Sequence, residues 1–253
     1  MSRSSRRLPR ADLAVVSGSG LAIVPADAEL VEVFDYAALG WPASDVAGHP
    51  NRLLVADWAP AGRPALRLLL ACGRCHLYEG STPGRAARAV DDIAAAGVRA
   101  LIVTNAVGAL DPALEPGDAV VVTSVIDLQG TLRGPVRALP VAGDDAAAGL
   151  VTALAPHVRA RAGRYVAVPG PHYETPAEAA WLRSFGEVVG MSGAVEVRAA
   201  RRHGLPVRVL SLVSNRSGAA SDHAAVLSVG ERLESRLRRG LAAFAGAVVQ
   251  ECA

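Results

Sequence analysis

The sequence predicts an α/β fold with a single domain, in which a mixed, largely parallel central sheet is flanked by helices. Apolar β-type runs alternate with helical patterns along the chain, and no linker interrupts them. The 253 residues are 51% hydrophobic and 20% charged, which is typical of a folded chain long enough to bury a sizeable core. In such folds, ligand-binding groups collect in loops beyond the carboxyl ends of the strands.

The predicted strands are short apolar runs, and the predicted helices show apolar residues at helical spacing. The strands are expected at residues 13–16, 53–55, 66–71, 100–104, 119–122, 165–168, 187–189 and 207–214. The helices are expected at residues 85–96, 146–161, 177–185, 194–203 and 226–249. Gly97 and Gly204 are typical helix stop signals after the first and the fourth of these helices.

The first ten residues differ in composition from the rest of the chain. They contain four arginines and three serines, which predicts a disordered basic tail over residues 1–10 and one domain over residues 11–253. The apolar run that follows is cut by Ser17-Gly18-Ser19-Gly20 and lacks a signal-peptide cleavage site. Because no stretch is long and apolar enough to span a membrane, we expect a cytoplasmic protein with no membrane partner.

Charge and cysteine content exclude several other classes of protein. The 26 basic and 24 acidic residues give a net charge of +2, which does not indicate a nucleic-acid partner. Residues 72–76 read C-x-x-C-H, but haem attachment goes with export, and a zinc site needs a second pair of ligands. We therefore expect no metal site and, with three cysteines, no disulfide framework.

Two early motifs have the residue types of an anion site. Gly18-Ser19-Gly20 follows the first strand, and such small residues form either a tight turn or a loop whose N–H groups approach an anion. Arg74, His76 and Tyr78 follow the apolar strand 66–71, and in an extended segment they would project to one side. Arg and His donate to phosphate oxygens. We therefore favour an anion-binding face there over three exposed polar side chains.

The stretch 165–196 reads as strand, loop, helix, strand and loop. Residues 175–178, TPAE, are typical of a helix start, with a Thr N-cap, a Pro at the first helical position and a capping-box Glu. Glu174 thus lies one residue outside a well-specified helix N-terminus, as either a ligand acceptor or a solvated loop residue. Asn215 ends the buried strand 207–214, as either a ligand-binding residue or part of an Asx turn.

The motifs GPHYETPAE at 170–178 and VGMS at 189–192, followed by Ser214-Asn215, resemble those of the trimeric purine nucleoside phosphorylases. The similarity extends from Gly18 to about His223 and therefore covers most of the chain. It implies phosphorolysis of purine nucleosides to the free base and ribose 1-phosphate, with inorganic phosphate as co-substrate and no cofactor. It also implies a homo-oligomer, with a homotrimer favoured.

The resemblance assigns roles to single residues of these motifs. The catalytic residues would be Glu174, Asn215 and His76. The phosphate-binding residues would be Ser19, His49, Arg74, His76, Ala106 through its backbone N–H, and Ser192. The ribose-binding residues would be Tyr78, Met191 and His223. The base-binding residues would be Tyr173, Glu174, Asn215, Val107 and Gly108.

These roles favour nucleosides of 6-oxopurines. The carboxylate of Glu174 would accept a hydrogen bond from N1–H, which adenine lacks, and the amide of Asn215 would donate to O6. An unpaired buried polar group costs about 1–3 kcal/mol, so each mismatch weakens binding substantially. We therefore expect inosine and guanosine, rather than adenosine, to be the substrates.

The chain departs from the family pattern in three places. The first loop reads GSGLA in place of GSGLG, and Val107 and Ala109 replace a smaller Ala and Gly. Residues 129–150 are short and contain no aromatic residue, where the family carries one that covers a neighbouring protomer's ribose site. Three alternatives stay open: a phosphorylase for a modified or 5′-substituted purine nucleoside, a catalytically impaired purine-nucleoside-binding protein, and a Rossmann-type oxidoreductase.

Overall fold

A computed structural model describes residues 7–18, 25, 27–60, 64–130, 136–219 and 223–252. It confirms the predicted α/β class with a mixed sheet between helices. The strands are β1 (Leu13–Ser17), β2 (Glu29–Asp35), β3 (Arg52–Trp58), β4 (Leu66–Cys72), β5 (Ala100–Ala109), β6 (Ala119–Asp127), β7 (Arg137–Pro140), β8 (Ala160–Ala167), β9 (Val188–Gly190) and β10 (Val207–Arg216). The α-helices are α1 (Tyr36–Leu39), α2 (Pro83–Ala86), α3 (Arg88–Ala95), α4 (Asp144–Leu154), α5 (Pro176–Leu182), α6 (Ala194–Arg202) and α7 (His223–Glu251).

The sheet order is β10-β6-β8-β9-β5-β1-β4-β3-β2, and β7 pairs with β6. Because β10 also pairs with β5, the strands β5, β10, β6, β8 and β9 close into a ring. Among the described strands, five neighbouring pairs are parallel and five are antiparallel. The sheet is therefore mixed, as predicted, although its parallel share is smaller than expected.

The core lies on both faces of this sheet. Alternate residues of β1 enter two different apolar clusters, with Ala14 and Val16 in one and Leu13 and Val15 in the other. Helices α3 and α6 contribute apolar residues to the first cluster, whereas α4 and α7 contribute to the second. Among the described helices, none combines the length and the hydropathy that crossing a membrane requires.

The structure corrects two predicted helices. The one expected over residues 85–96 is divided into α2 and α3, and the one expected over residues 146–161 is too long. The helix expected over residues 146–161 ends at Leu154, and β8 already begins at Ala160. The physical reason is Pro156, which has no N–H to continue the helical hydrogen bonds, although Ala155 before it still has helical dihedrals. The alanine-rich sequence on both sides has no comparable signal, so the periodicity alone extended the helix too far.

Several further boundaries differ from the predictions. β5 runs to Ala109 and β10 to Arg216, so residues expected in loops after these strands belong to the sheet. β2, β7 and α1 were not expected, and β2 is an edge strand whose residues are nearly all exposed, so its pattern is weak. Residues 1–6 of the predicted tail lie outside the described part, but Leu8 is buried, so the packed domain begins before residue 11.

Candidate active site

A cavity of about 90 Å³ lies where β5, β9 and β10 end, beside the loop that follows β8. Ten of the predicted site residues line it: His76, Tyr78, Ala106, Val107, Gly108, Tyr173, Glu174, Met191, Ser192 and Asn215. Ser19 and the side chain of His223 lie outside the described part of the chain. The structure therefore brings together residues that lie up to 139 positions apart in the sequence, from His76 to Asn215.

Strand pairing explains why these residues meet. Asn215 of β10 lies opposite Gly108 of β5, in a parallel pair that shifts register just before this point. β8 and β9 are also parallel neighbours, so the loop that carries Glu174 and the turn that carries Met191 leave the sheet at the same edge. The predicted loops thus converge because their strands are neighbours in the ring.

Glu174 lies where the sequence places it, one residue before the N-cap of α5. Thr175 caps this helix, and the carboxylate of Glu178 accepts from the Thr175 amide at 2.8 Å, which confirms the predicted capping box. The Glu174 Oε2 atom accepts a 2.7 Å hydrogen bond from the Ser217 hydroxyl. Glu174 is half-buried, and its carboxylate is thus held at the cavity wall by a residue that follows β10.

Asn215 is held by its neighbour in the same strand. The Ser214 hydroxyl lies 2.9 Å from Asn215 Oδ1 and 3.2 Å from the Val107 carbonyl oxygen. When Ser214 donates to Oδ1, the amide group presents its Nδ2 donors elsewhere. Asn215 can therefore donate to a ligand atom that accepts, such as a ring nitrogen or a carbonyl oxygen.

His76 and Tyr78 form a stacked pair, with ring centroids 4.7 Å apart and an interplanar angle of 13°. Burial raises the pKa of Tyr78 to about 12, so its hydroxyl stays protonated at neutral pH and can donate. Gly170 packs against this corner, since a Cβ there would lie 2.6 Å from Met191 Sδ and 2.9 Å from Tyr78 Cδ1. The absence of a side chain at Gly170 thus leaves room for Tyr78 and Met191, which a Cβ there would displace.

His76 is oriented by Glu79, which the sequence analysis missed. Glu79 Oε2 lies 2.9 Å from His76 Nδ1 and 2.6 Å from the His76 amide. Burial lowers the pKa of His76, although the Glu79 carboxylate opposes this effect. Because a carboxylate only accepts, Nδ1 carries the proton in this pair and Nε2 is left to a ligand.

Glu79 itself is held ionised by several donors. Burial would raise the pKa of this carboxyl, but bonds from the His76 amide and ring, the Ser44 hydroxyl and the Asp45 amide bring it below its usual value. The distances from Oε1 to the Ser44 hydroxyl and the Asp45 amide are 2.9 and 3.0 Å. The spacing His-x-x-Glu is a signal that could have identified this pair, because it places Glu79 on the turn after His76.

Residues 73–79 are not the extended segment that the predicted polar face assumes, and Arg74, unlike His76 and Tyr78, does not line the cavity. β4 ends at Cys72, and Gly73 turns the chain with φ of 108°, after which strand alternation no longer applies. Arg74 is buried, and its Nη2 donates to the carbonyl oxygens of Val16 and Thr104 at 2.8 and 2.5 Å. Its Nε lies 3.4 Å from Glu196 Oε1.

His49 lies behind the cavity rather than on its wall. Its Nδ1 accepts from the Arg74 amide at 3.1 Å, and its ring meets that of His76 edge-on with centroids 5.2 Å apart. His49 is thus a neighbour of both predicted phosphate-binding residues Arg74 and His76. These contacts hold the segment that carries Arg74 and His76 in place. Unlike His76, His49 does not line the cavity.

Two buried donors converge on Gly193, next to Ser192. Asn105 Nδ2 and Arg74 Nη1 would lie 3.5 and 3.8 Å from a Cβ at this glycine, and Arg74 Nη1 has no hydrogen-bond partner among the described residues. Gly193 is also the N-cap of α6, whose N-terminus favours negative charge. Buried donors without partners are rare, so this corner has the chemistry to bind an anion.

Ser192 is fixed by the buried Tyr165 of β8. The Tyr165 hydroxyl donates to the Ser192 carbonyl oxygen at 2.5 Å and lies 3.3 Å from the Ser192 amide. Burial raises the pKa of Tyr165, so this hydroxyl remains a donor. The sequence gives no signal for the contact, because it joins a residue of β8 to the turn that follows β9.

The shortened segment after β6 supports the cavity from outside. Gln129 Nε2 donates to the Met191 and Val168 carbonyl oxygens at 2.9 and 3.2 Å. In the described part of residues 129–150, no residue lines the cavity. Its start therefore ties the ends of β8 and β9 together.

The described residues offer no metal centre, because no three His, Cys, Asp or Glu side chains are grouped to hold one. Cys72 is buried, and burial raises the pKa of its thiol to about 11, so the thiolate that a metal requires is disfavoured. His76 of the same C-x-x-C-H motif contacts Glu79 and Tyr78. Of this motif, His76 lines the cavity.

Comparison with known proteins agrees with this geometry. Residues 68–246 match the family described as the phosphorylase superfamily. The chain is 37% identical over 248 residues to the purine nucleoside phosphorylase of Mycobacterium tuberculosis, with 89% of this chain and 85% of that protein covered. A schistosoma purine nucleoside phosphorylase in complex with hypoxanthine matches with a TM-score of 0.75 at 28% identity, covering 92% of this chain and 89% of that chain. The Schistosoma mansoni enzyme in complex with adenosine matches with a TM-score of 0.73 at 27% identity, covering 95% and 90%.

Proposed function

The chain belongs to the phosphorylase superfamily and, within it, to the purine nucleoside phosphorylases, and from this membership we propose its substrate, its chemistry and the roles of its residues. The reaction is phosphorolysis of a purine nucleoside to the free base and ribose 1-phosphate. The observation that supports it best is one cavity whose wall includes Glu174, Asn215, Tyr78 and His76. The carboxylate and the amide suit a purine base, the tyrosine ring suits a ribose, and the imidazole suits a phosphate.

The chemistry needs no covalent enzyme intermediate. A phosphate oxygen attacks C1′ of the ribose while the bond from C1′ to the purine nitrogen breaks, and the electron pair leaves with the purine. Positive charge develops on the ribose and negative charge on the purine, so groups that stabilise these charges lower the barrier. Asn215 donates to N7 of the leaving purine, and the bound phosphate stabilises the sugar cation.

In this proposal, phosphate is bound by side chains and backbone N–H groups near His76 and Ser192. Because Glu79 takes the Nδ1–H of His76, Nε2 of the neutral ring accepts a hydrogen bond from a protonated phosphate oxygen. Ser192 and the Ala106 amide line the cavity, and Arg74 reaches toward Gly193 beside Ser192. Ser19 and His49 complete the proposed phosphate-binding set, and no metal or organic cofactor takes part.

We place 6-oxopurine nucleosides ahead of adenosine. The Glu174 carboxylate accepts from N1–H of hypoxanthine or guanine, and Asn215 donates to O6. In this proposal, the base pocket is completed by Tyr173, Val107 and Gly108. The ribose is bound by Tyr78, Met191 and His223. The protein acts as a homotrimer in the cytoplasm. The Schistosoma mansoni enzyme has been solved in complex with adenosine, so adenosine is the substrate to compare with inosine when the base preference of this chain is tested.

A second candidate is a purine nucleoside with a 5′ substituent. The observation that favours it is that residues 129–150 contain no aromatic residue of the kind that covers a neighbouring protomer's ribose site in the family. Such a substrate would use the same base-binding residues and the same phosphate chemistry. It would differ only in the contacts of the 5′ position.

The test is phosphate-dependent turnover of inosine, guanosine, adenosine and a 5′-deoxy-5′-alkylthio purine nucleoside, with base and sugar phosphate both assayed. Turnover of inosine and guanosine that stops without phosphate supports the proposal. Turnover of the 5′-substituted nucleoside alone supports the second candidate. Adenosine turned over as fast as inosine contradicts the proposed base preference.

A further inference from the structure

We propose that Ser217 is the residue that positions Glu174 and thereby sets the base preference of the proposed phosphorolysis. Its hydroxyl donates to Glu174 Oε2 at 2.7 Å, across 43 positions of sequence. It is the one described residue whose side chain donates to this carboxylate. The inference rests on the proposed function, because it concerns how the same cavity recognises a purine.

Ser217 is placed rigidly enough to orient a partner. Its amide donates to the Ala109 carbonyl oxygen at 2.9 Å, which fixes the residue to the end of β5. The next residue, Gly218, packs on α5, where a Cβ would lie 3.0 Å from Ala179 Cβ and 3.2 Å from Pro176 Cα. The hydroxyl is therefore held between the strand that carries Val107 and Gly108 and the helix that follows Glu174.

The space around Ser217 is filled by the base-binding wall. A Cβ added at Gly108 would lie 3.2 Å from Ser217 Cβ and 3.4 Å from Asn215 Nδ2. Ser217 and Asn215 thus flank the same glycine, and Ser217 joins the two polar residues proposed to read the base. A change in the Ser217 side chain therefore acts on Glu174 while the strand that holds Asn215 stays in place.

The chemical consequence follows from what a carboxylate can accept. A hydroxyl that donates to Oε2 fixes the plane of the carboxylate, which only accepts hydrogen bonds. Because the carboxylate is already oriented, accepting from N1–H of a 6-oxopurine costs no further loss of rotational freedom. Adenine has no hydrogen at N1, so an oriented acceptor brings no benefit to adenosine. Ser217 therefore increases the ratio of inosine to adenosine turnover.

The experiment measures kcat/KM for inosine and adenosine in the full-length protein with Ser217→Ala, Glu174→Ala and both substitutions together. Because a hydrogen bond to a charged group is a strong one, Ser217→Ala should lower kcat/KM for inosine about tenfold and change adenosine less than about twofold. In the Glu174→Ala background, the same substitution should change inosine less than about twofold. Ser217→Thr keeps a hydroxyl and should stay within about threefold of the wild type.

A matched control is Ser184→Ala, which removes a hydroxyl that donates to the Trp181 carbonyl oxygen at 2.8 Å, outside the cavity. It should leave both rates unchanged. If Ser217→Ala leaves inosine turnover unchanged, or lowers inosine and adenosine by the same factor, the proposal is wrong. An equal loss in the presence and absence of Glu174 would likewise show a structural role for Ser217.

A failure of the proposed function is distinguishable from a failure of this inference. Wild-type protein without phosphate-dependent turnover of inosine would contradict the function alone. Hypoxanthine affinity, measured by calorimetry, then decides the role of Ser217. About tenfold weaker binding by Ser217→Ala supports it, whereas equal affinity, or no binding by the wild type, overturns it.

Discussion

The Ser214 hydroxyl lies 2.9 Å from Oδ1 of Asn215, its neighbour in β10, and this contact sets which end of the amide faces a ligand. Ser214 is buried and lines the cavity together with Asn215. Its one hydroxyl proton is shared between Oδ1 and the more distant Val107 carbonyl oxygen, and when it points to Oδ1, Nδ2 is the end of the amide that donates. The orientation of a residue proposed to be catalytic therefore depends on a side chain that the sequence analysis did not single out.

Ser214→Ala should lower kcat/KM for inosine by roughly 2- to 12-fold, because a neutral hydrogen bond contributes about 0.5–1.5 kcal/mol. The loss arises as the Asn215 amide becomes free to present its oxygen to the base. Steady-state kinetics at saturating phosphate measure the effect, with Ser214→Thr as the control that keeps the hydroxyl. Full activity of the alanine variant would show that Asn215 is oriented by other contacts.

Asn215→Asp should reverse the base preference. A carboxylate at this position accepts only, so it opposes O6 of hypoxanthine and accepts from the amino group of adenine. We expect kcat/KM for inosine to fall roughly 5- to 150-fold, the range for an unpaired buried group, while adenosine gains relative to inosine. Kinetics with both nucleosides measure the ratio, and Asn215→Ala, which should slow both substrates, is the control. An unchanged ratio in the aspartate variant would rule out Asn215 as a base-reading residue.

The parts of the site that the sequence predicted correctly are those with local signals. Glu174 was placed because the capping box of α5 is contained in four consecutive residues, and the structure has the bonds of that box. Asn215 was placed because an apolar run of β10 ends beside it. Propensity, capping and turn chemistry act over a few residues, so a reader of the sequence can apply them.

The contacts that the sequence could not give are long-range. Ser217 with Glu174 and Tyr165 with Ser192 join different elements, and their partners follow from the closed ring of strands. Strand alternation was carried past Gly73, where a positive φ turns the chain, so it could not give the position of Arg74, which does not line the cavity. The sequence thus identified which residues belong near the cavity, whereas the contacts of their side chains became known only from the structure.

Gly170→Ala should destabilise the protein and weaken nucleoside binding. The new Cβ would lie 2.6 Å from Met191 Sδ and 2.9 Å from Tyr78 Cδ1, and φ of 73° is strained for alanine. We expect a loss of about 1–3 kcal/mol in the free energy of unfolding. Because Met191 and Tyr78 must move, KM for the nucleoside should rise more than KM for phosphate.

Gly149→Ala is the matched control for this substitution. Gly149 lies within α4 and faces open space, so alanine there should raise the free energy of unfolding by about 0.5–1 kcal/mol and leave both KM values unchanged. Urea unfolding and steady-state kinetics check the two variants together. A Gly170→Ala protein as stable and as active as the wild type would mean that the loop adapts to the methyl group.

His76→Gln should remove one component of the pH dependence of stability. Burial, opposed by Glu79, lowers the pKa of His76 in the folded protein below its ordinary value of 6.5. As pH falls below 6.5, the unfolded chain takes up this proton before the folded chain does, so the free energy of unfolding decreases. The loss is at most about 1.4 kcal/mol per pH unit and ends once the pH is below the folded pKa. Urea unfolding at pH 7.5, 6.5 and 5.5 should therefore show a shallower decline for the variant. Parallel curves for the two proteins would mean that His76 titrates alike in the folded and unfolded states, which would contradict its burial beside Tyr78.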